Sequence, residues 1–197
     1  MPRVQRVARP RTRAQIEELA WRTRDALGLR PFDRVPVARL LEHVLPEMID
    51  GYELRVAERG ALGGAEAVTD VSRPIITFDE DAYYRMCADD GRARITGIHE
   101  LGHLLLHTGQ TGFAFMGKAD PRVDLEKQAD IFAESFVMPE CAFRQVKSIK
   151  EAMRRFGVSR AAACFRARTL GMPWLIEDRP PPKRSKKMGR KSMTRVP

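Results

Sequence analysis

The sequence predicts an α+β fold, with a small, mostly antiparallel sheet packed on a mainly helical body. Three observations lead there. Apolar residues recur at helical spacing over 94–107 and 124–139. Between residues 52 and 78 the pattern switches to short runs with β alternation, broken by Gly60, Gly63 and Gly64. At 197 residues the chain is long enough for one main domain with a small appendage.

Along the chain, residues 1–13 hold five arginines and no acid, and are expected to form a disordered basic arm. A helix follows over Arg13–Leu27, with Ile16, Leu19, Ala20 and Trp21 inward and Gly28 as its stop. Pro36–Leu45 reads as a second helix, facing inward through Val37, Leu40, Leu41 and Val44. Strands are expected at Tyr52–Ala57, Ala65–Val71 and Pro74–Phe78. The acidic turn Asp79-Glu80-Asp81 then leads to a short helix over Ala82–Ala88. Thr108–Lys118 is a glycine-punctuated loop whose Phe113, Phe115 and Met116 either border a cleft or anchor the connection. Asp120-Pro121 starts the next helix and Pro139 ends it.

Cys141–Val146 forms a further short helix. Residues 149–171 read as two helices joined at Gly157-Val158-Ser159, with Ser159 as N-cap. That pair resembles a helix-turn-helix, and Arg160, Arg166 and Arg168 give its second helix a basic face. The alternative is a packing element that completes the main domain, since no third helix follows Leu170. The resulting division is an arm at 1–13, a main domain at 14–146, the helix-turn-helix-like segment at 147–172 and a disordered basic tail at 173–197.

Charge follows the same division. The arm and residues 179–197 carry thirteen of the 35 basic residues and no acid, which leaves 22 basic against 26 acidic residues between them. The folded body is therefore slightly acidic although the whole chain is +9. This argues against a nucleic-acid-binding domain and leaves weak, salt-dependent contact to the tails. No apolar run is long enough to span a membrane, and the N-terminus lacks the apolar core of a secretory signal. Cys87, Cys141 and Cys164 show no metal-binding spacing, which fits a reducing, cytoplasmic setting.

The chemistry concentrates in His99-Glu-Leu-Gly-His103, which matches the His-Glu-x-x-His signature of zinc proteases. On a helix the two histidines lie one turn apart, so both imidazoles reach one metal, and Glu100 is placed to take a proton from water there. Ile95, Ile98, Leu101, Leu104 and Leu105 cover one side of the helix, while His99, His103 and His107 lie on the other. A core helix with satisfied histidines is the plain alternative.

A catalytic zinc site normally takes three protein ligands and one water. His107 lies about 12 Å along the axis from His99, too far for both to share one ion, so it is expected to support a ligand or to meet the helix C-terminus as an imidazolium. On the downstream helix Glu126 falls at the margin of the apolar stripe, Asp130 slightly outside it and Glu134 further out. Glu126 is therefore the favoured third ligand, with Asp130 placed to hydrogen-bond a ligating imidazole. A solvated acidic edge is the competing reading of that helix.

Together, Arg94–His107 and Glu126–Pro139 resemble the ImmA/IrrE family of zincin-like metallopeptidases, and the resemblance spans about residues 15 to 172. The family's second motif resembles Glu-x-x-Ala-Asn-x-Phe-Ala followed by Met-Pro; here Asp130 stands where Asn is common. The resemblance implies one zinc ion held by His99, His103 and Glu126, with Glu100 as general base. It also implies an intracellular endopeptidase that cleaves a helix-turn-helix repressor or an antitoxin-like partner, and so switches on phage, mobile-element or stress-response genes. Tyr83, Tyr84 and His107 are the candidate donors to a developing oxyanion. The rival expectation is a non-proteolytic regulator that keeps the metal fold and binds DNA or a repressor. A toxin-like enzyme restrained by its neighbour is a third.

Overall fold

A computed structural model describes residues 4–108, 112–115 and 124–177. Strand β1 is Val4–Val7. Helix α1, Arg13–Ala26, starts on a capping box in which Thr12 accepts from the Gln15 backbone and the Gln15 side chain accepts from Thr12 N–H. Residues 37–48 form one helical run of three parts: α2 (Val37–Arg39), a π-helical turn (Leu40–Val44) and α3 (Leu45–Met48). The expected second helix is thus longer than Pro36–Leu45 and is widened in the middle. Pro46 has no N–H to return to the preceding turn, and Leu45 N–H bonds back to Leu40 in the π register.

The sheet comprises β2 (Glu53–Ala57), β3 (Ala67–Asp70) and β4 (Ile75–Asp79) in the order β2-β4-β3. β4 runs parallel to β2, pairing Leu54 with Ile76, and antiparallel to β3, pairing Thr69 with Ile76. The sheet is therefore mixed. Burial explains the order: Ile75, Ile76 and Phe78 are buried, so β4 takes the centre, while half-polar β2 and β3 take the edges.

Helix α4, Glu80–Cys87, is capped by Asp79, and α5, Gly91–His107, by Asp90, which accepts from Arg92 and Ala93 N–H. Strand β5, Gly112–Phe115, pairs antiparallel with β1. This corrects the expectation of a disordered arm. Residues 4–7 pair with a strand more than a hundred positions away, Ala8 is buried and Thr12 caps α1, none of which composition reveals. Helix α6, Leu125–Val137, is capped by Asp124; the expected start at Asp120-Pro121 lies outside the described residues, as do Met116 and residues 178–197.

Short α7, Glu140–Phe143, follows Pro139; α8, Ile149–Phe156, is capped by Ser148; and α9, Arg160–Thr169, is capped by Ser159 as expected. Gly157 joins the last two in the left-handed region at φ 62°, and an added Cβ there would overlap the Arg94 guanidinium. A 3-10 turn, Pro173–Leu175, buries Leu175, so the folded body continues past residue 172.

One buried cluster joins Ile16 of α1, Phe78 of β4, Leu101 of α5, Phe132 of α6 and Phe156 and Ala163 of α8 and α9. Residues 147–172 share this core and have none of their own. Buried arginines staple its helix ends. Arg24 donates to Phe136 O at 2.6 Å, Arg94 to Val35 O at 2.6 Å and Gly157 O at 2.9 Å, and Arg166 to Met138 O at 3.0 Å. Among the described residues the cysteines are unbridged, and no helix is long and apolar enough to cross a membrane.

Candidate metal centre

Helices α5 and α6 pack at unusually close range, and Gly102 permits it. A Cβ at that position would lie 3.2 Å from Ala129 Cα and 3.3 Å from Ala129 O. Glycine inside the motif therefore lets the α6 backbone approach the turn between His99 and His103. That approach carries Glu126 to the histidine pair. One ligand atom from each of His99, His103 and Glu126 lies within 4.8 Å of the other two.

The spacing fits a metal. Two ligand atoms each about 2.0–2.1 Å from a zinc ion at a tetrahedral angle stand about 3.3 Å apart. Here His99 Nε2 is 3.2 Å from Glu126 Oε2, His103 Nε2 is 3.5 Å from Glu126 Oε1, and the two Nε2 atoms are 2.9 Å apart. Two imidazole nitrogens so close gain nothing from facing each other unless a proton or a cation lies between them. The donor set, two imidazoles and one carboxylate, also suits zinc.

Hydrogen bonds behind the rings orient both Nε2 lone pairs toward that point. Asp130 Oδ1 lies 3.0 Å from His99 Nδ1 and accepts its proton. On the other ring the path is longer. Gln128 donates through Nε2 to Arg9 O at 2.9 Å, which turns its Oε1 toward His107 Nε2 at 3.3 Å. His107 then donates from Nε2 and accepts at Nδ1 from His103 Nδ1–H, 3.0 Å away. His103 Nε2 is left with its lone pair. Burial lowers the His107 pKa to about 4, with the neighbouring His103 adding to the shift. The ring is therefore neutral, and the alternative expectation of an imidazolium at the helix end does not hold.

Electrostatics at the trio are strong. Burial would lower the His99 pKa, but the hydrogen bonds to Asp130 and Glu126 outweigh it and raise the pKa to about 9. The two imidazoles hold Glu126 far below the usual carboxylate range. The Glu126 side chain is 74% exposed, so the centre opens to solvent on the α6 side. Glu100 is buried instead. Its Oε2 accepts from the Thr69 hydroxyl at 2.7 Å, and that hydroxyl also lies 3.0 Å from the Glu100 carbonyl oxygen. Thr69 belongs to β3, an edge strand with a sheet neighbour on one side only among the described residues.

The other expected residues fall elsewhere. Tyr83 donates to Glu42 at 2.8 Å and Tyr84 is exposed; no hydrogen bond among the described residues ties either to the histidines. Glu134, projected as the outermost acid of α6, is buried. It pairs with Arg13 and Arg166 because α1 and α9 close over that side of the helix. Arg166 is only 1% exposed, which removes it from the expected basic face of α9, while Arg160 and Arg168 remain exposed.

Sequence reasoning passed over Thr69 and Gln128. Nothing local marks Thr69. Gln128 did leave a trace, a polar residue one turn before Phe132 on the buried face of α6.

Residues 83–168 match the Peptidase_M78 family model, the IrrE N-terminal-like domain. A solved structure, a Mycobacterium tuberculosis transcriptional regulator, is similar at 17% identity and a TM-score of 0.42, over 77% of this chain and 45% of that one. The chain thus matches less than half the length of that regulator. No curated protein matches.

Proposed function

Because residues 83–168 carry the IrrE N-terminal-like domain of Peptidase_M78, the ImmA/IrrE family, we propose that this chain is a zinc-dependent endopeptidase. Its substrate is a regulatory protein, a helix-turn-helix repressor or an antitoxin-like partner. The observation that carries this reading is the convergence of His99, His103 and Glu126 beside a buried, oriented Glu100 carboxylate.

His99 Nε2, His103 Nε2 and a Glu126 oxygen would hold one zinc ion, which when bound supplies Lewis acidity for polarising a peptide carbonyl and acidifying water. Glu100 takes the proton of the attacking water on its carboxylate and delivers it to the leaving amine. Thr69 keeps that carboxylate aimed. The outer edge of β3, next to Thr69, offers backbone groups to an extended peptide, which would lie across the centre as an added strand. A carboxylate placed as proton carrier would serve no purpose in a metal site that only stabilises the fold. This favours hydrolysis over a purely binding role, and the withdrawal of Arg166 into the core weakens a DNA-reading role for α9.

The test compares three forms of the chain, with helix-turn-helix repressors from the same genome as candidate substrates. The parent should bind one zinc per chain and cleave. Glu100→Gln should keep the zinc and lose cleavage by about a thousandfold or more. His103→Ala should lose both. Cleavage by Glu100→Gln at the parent rate would refute the assignment of the base.

A further inference from the structure

Beside the metal centre, α9 presents a second feature that the mechanism does not use. Between α5, α6 and α9 runs a groove of ≈ 900 Å³. Buried Ala133 of α6 and Met138, which caps that helix, line it, and so does Phe165 of α9, 52% exposed. Ile95, one turn before His99 on α5, lines it, and so does Asp130, whose carboxylate holds His99. The groove therefore borders the metal centre on the Asp130 side, behind the His99 ring.

Its lining is mostly apolar but its charge is one-sided. Glu134 is neutralised by Arg13 and Arg166, and Asp130 is engaged with His99. Arg160 and Arg168 are exposed at the rim, and among the described residues neither guanidinium has an acidic partner. The two stand eight positions apart on α9, about 12 Å along its axis. An extended peptide covers that distance in about four residues.

We propose that this groove is a docking site for an apolar peptide segment bearing acidic side chains, which anchors a protein partner next to the metal centre. The apolar side chains fill the channel over Ala133 and Met138 against Phe165. Carboxylates about four residues apart meet Arg160 and Arg168. That this segment belongs to the cleaved substrate rests on the peptidase reading; the docking itself does not.

The test measures binding, so it stays independent of cleavage. The full chain carrying Glu100→Gln is titrated at about 0.15 M salt against two fluorescein-labelled peptides, Asp-Leu-Val-Leu-Asp and the same peptide with Lys for Asp, by fluorescence anisotropy. The acidic peptide should bind about tenfold more tightly than the basic one. Arg160→Glu with Arg168→Glu should reverse the preference, and the milder Arg160→Gln with Arg168→Gln should abolish it. Phe165→Ser should weaken both peptides about threefold or more. Equal affinity for the two peptides would overturn the proposal. So would acidic-peptide binding that survives both arginine double variants, since the basic tail would then be the site. Neither failure touches the zinc content or the Glu100→Gln cleavage result, so the peptidase reading stands or falls separately.

Discussion

Replacing Gln128 by Met tests the hydrogen-bond path behind His103. Methionine keeps nearly the same length and apolar volume, so packing on the buried face of α6 survives while the amide's hydrogen bonds to Arg9 and His107 disappear. The Arg9 carbonyl is near the surface and can turn to water. His107 is fully buried, so its Nε2–H, now 3.3 Å from Gln128 Oε1, would be left without an acceptor. An orphaned buried donor costs about 1–3 kcal/mol, which puts the expected loss of stability near 2 kcal/mol. The second effect bears on function. Without Gln128 the His107 ring is free to move its proton to Nδ1, where it opposes the proton on His103 Nδ1 only 3.0 Å away. His103 then loses the acceptor that directs its Nε2 lone pair to the metal, and zinc affinity should fall about 10–100-fold. Urea melts of the metal-free chain read the first effect, and competition against a chromogenic chelator reads the second. A stability loss of the expected size with zinc affinity within about twofold of the parent would refute the orienting role.

Three further outcomes follow from the same geometry. Gly102→Ala gains about 1 kcal/mol of helix propensity but drives a methyl to 3.2 Å from Ala129 Cα, so it should lose about 1–2 kcal/mol net and weaken zinc binding as α6 backs away; a stabilised variant would contradict the close-approach argument. Thr69→Val removes the hydroxyl that holds Glu100 without changing shape; cleavage should slow about ten- to a hundredfold at unchanged zinc content, and an unchanged rate would show that Thr69 does not orient the base. In the metal-free chain the raised pKa of His99 contributes stability that is fully present below about pH 6.5 and lost as pH rises toward 9. Because Glu126 and Asp130 are mostly exposed, the expected loss is about 1–2 kcal/mol, and zinc binding should strengthen over the same pH range because the metal must displace that proton. A flat thermal-melting profile between pH 6.5 and 9, equal to that of Asp130→Asn, would contradict this.

The residue spacing alone determined the parts of the centre that belong to one helix at a time. His99 and His103 share a face because four residues make about one turn, and Glu126 with Asp130 repeats the same step on α6. The helix start at Ser159 and the break at Gly157 were equally legible, being decided by residues within three or four positions. What lay beyond local sequence was every contact made across the fold. Thr69 reaches Glu100 from a strand thirty-one positions away, Arg9 fixes Gln128 from the segment expected to be disordered, and α9 draws Arg166 inward instead of presenting it. The order β2-β4-β3 also depended on which strand could bury both faces. Periodicity reports which face of an element is apolar, but only packing decides what covers that face, and hence whether a polar side chain on it becomes a ligand, a support or a staple.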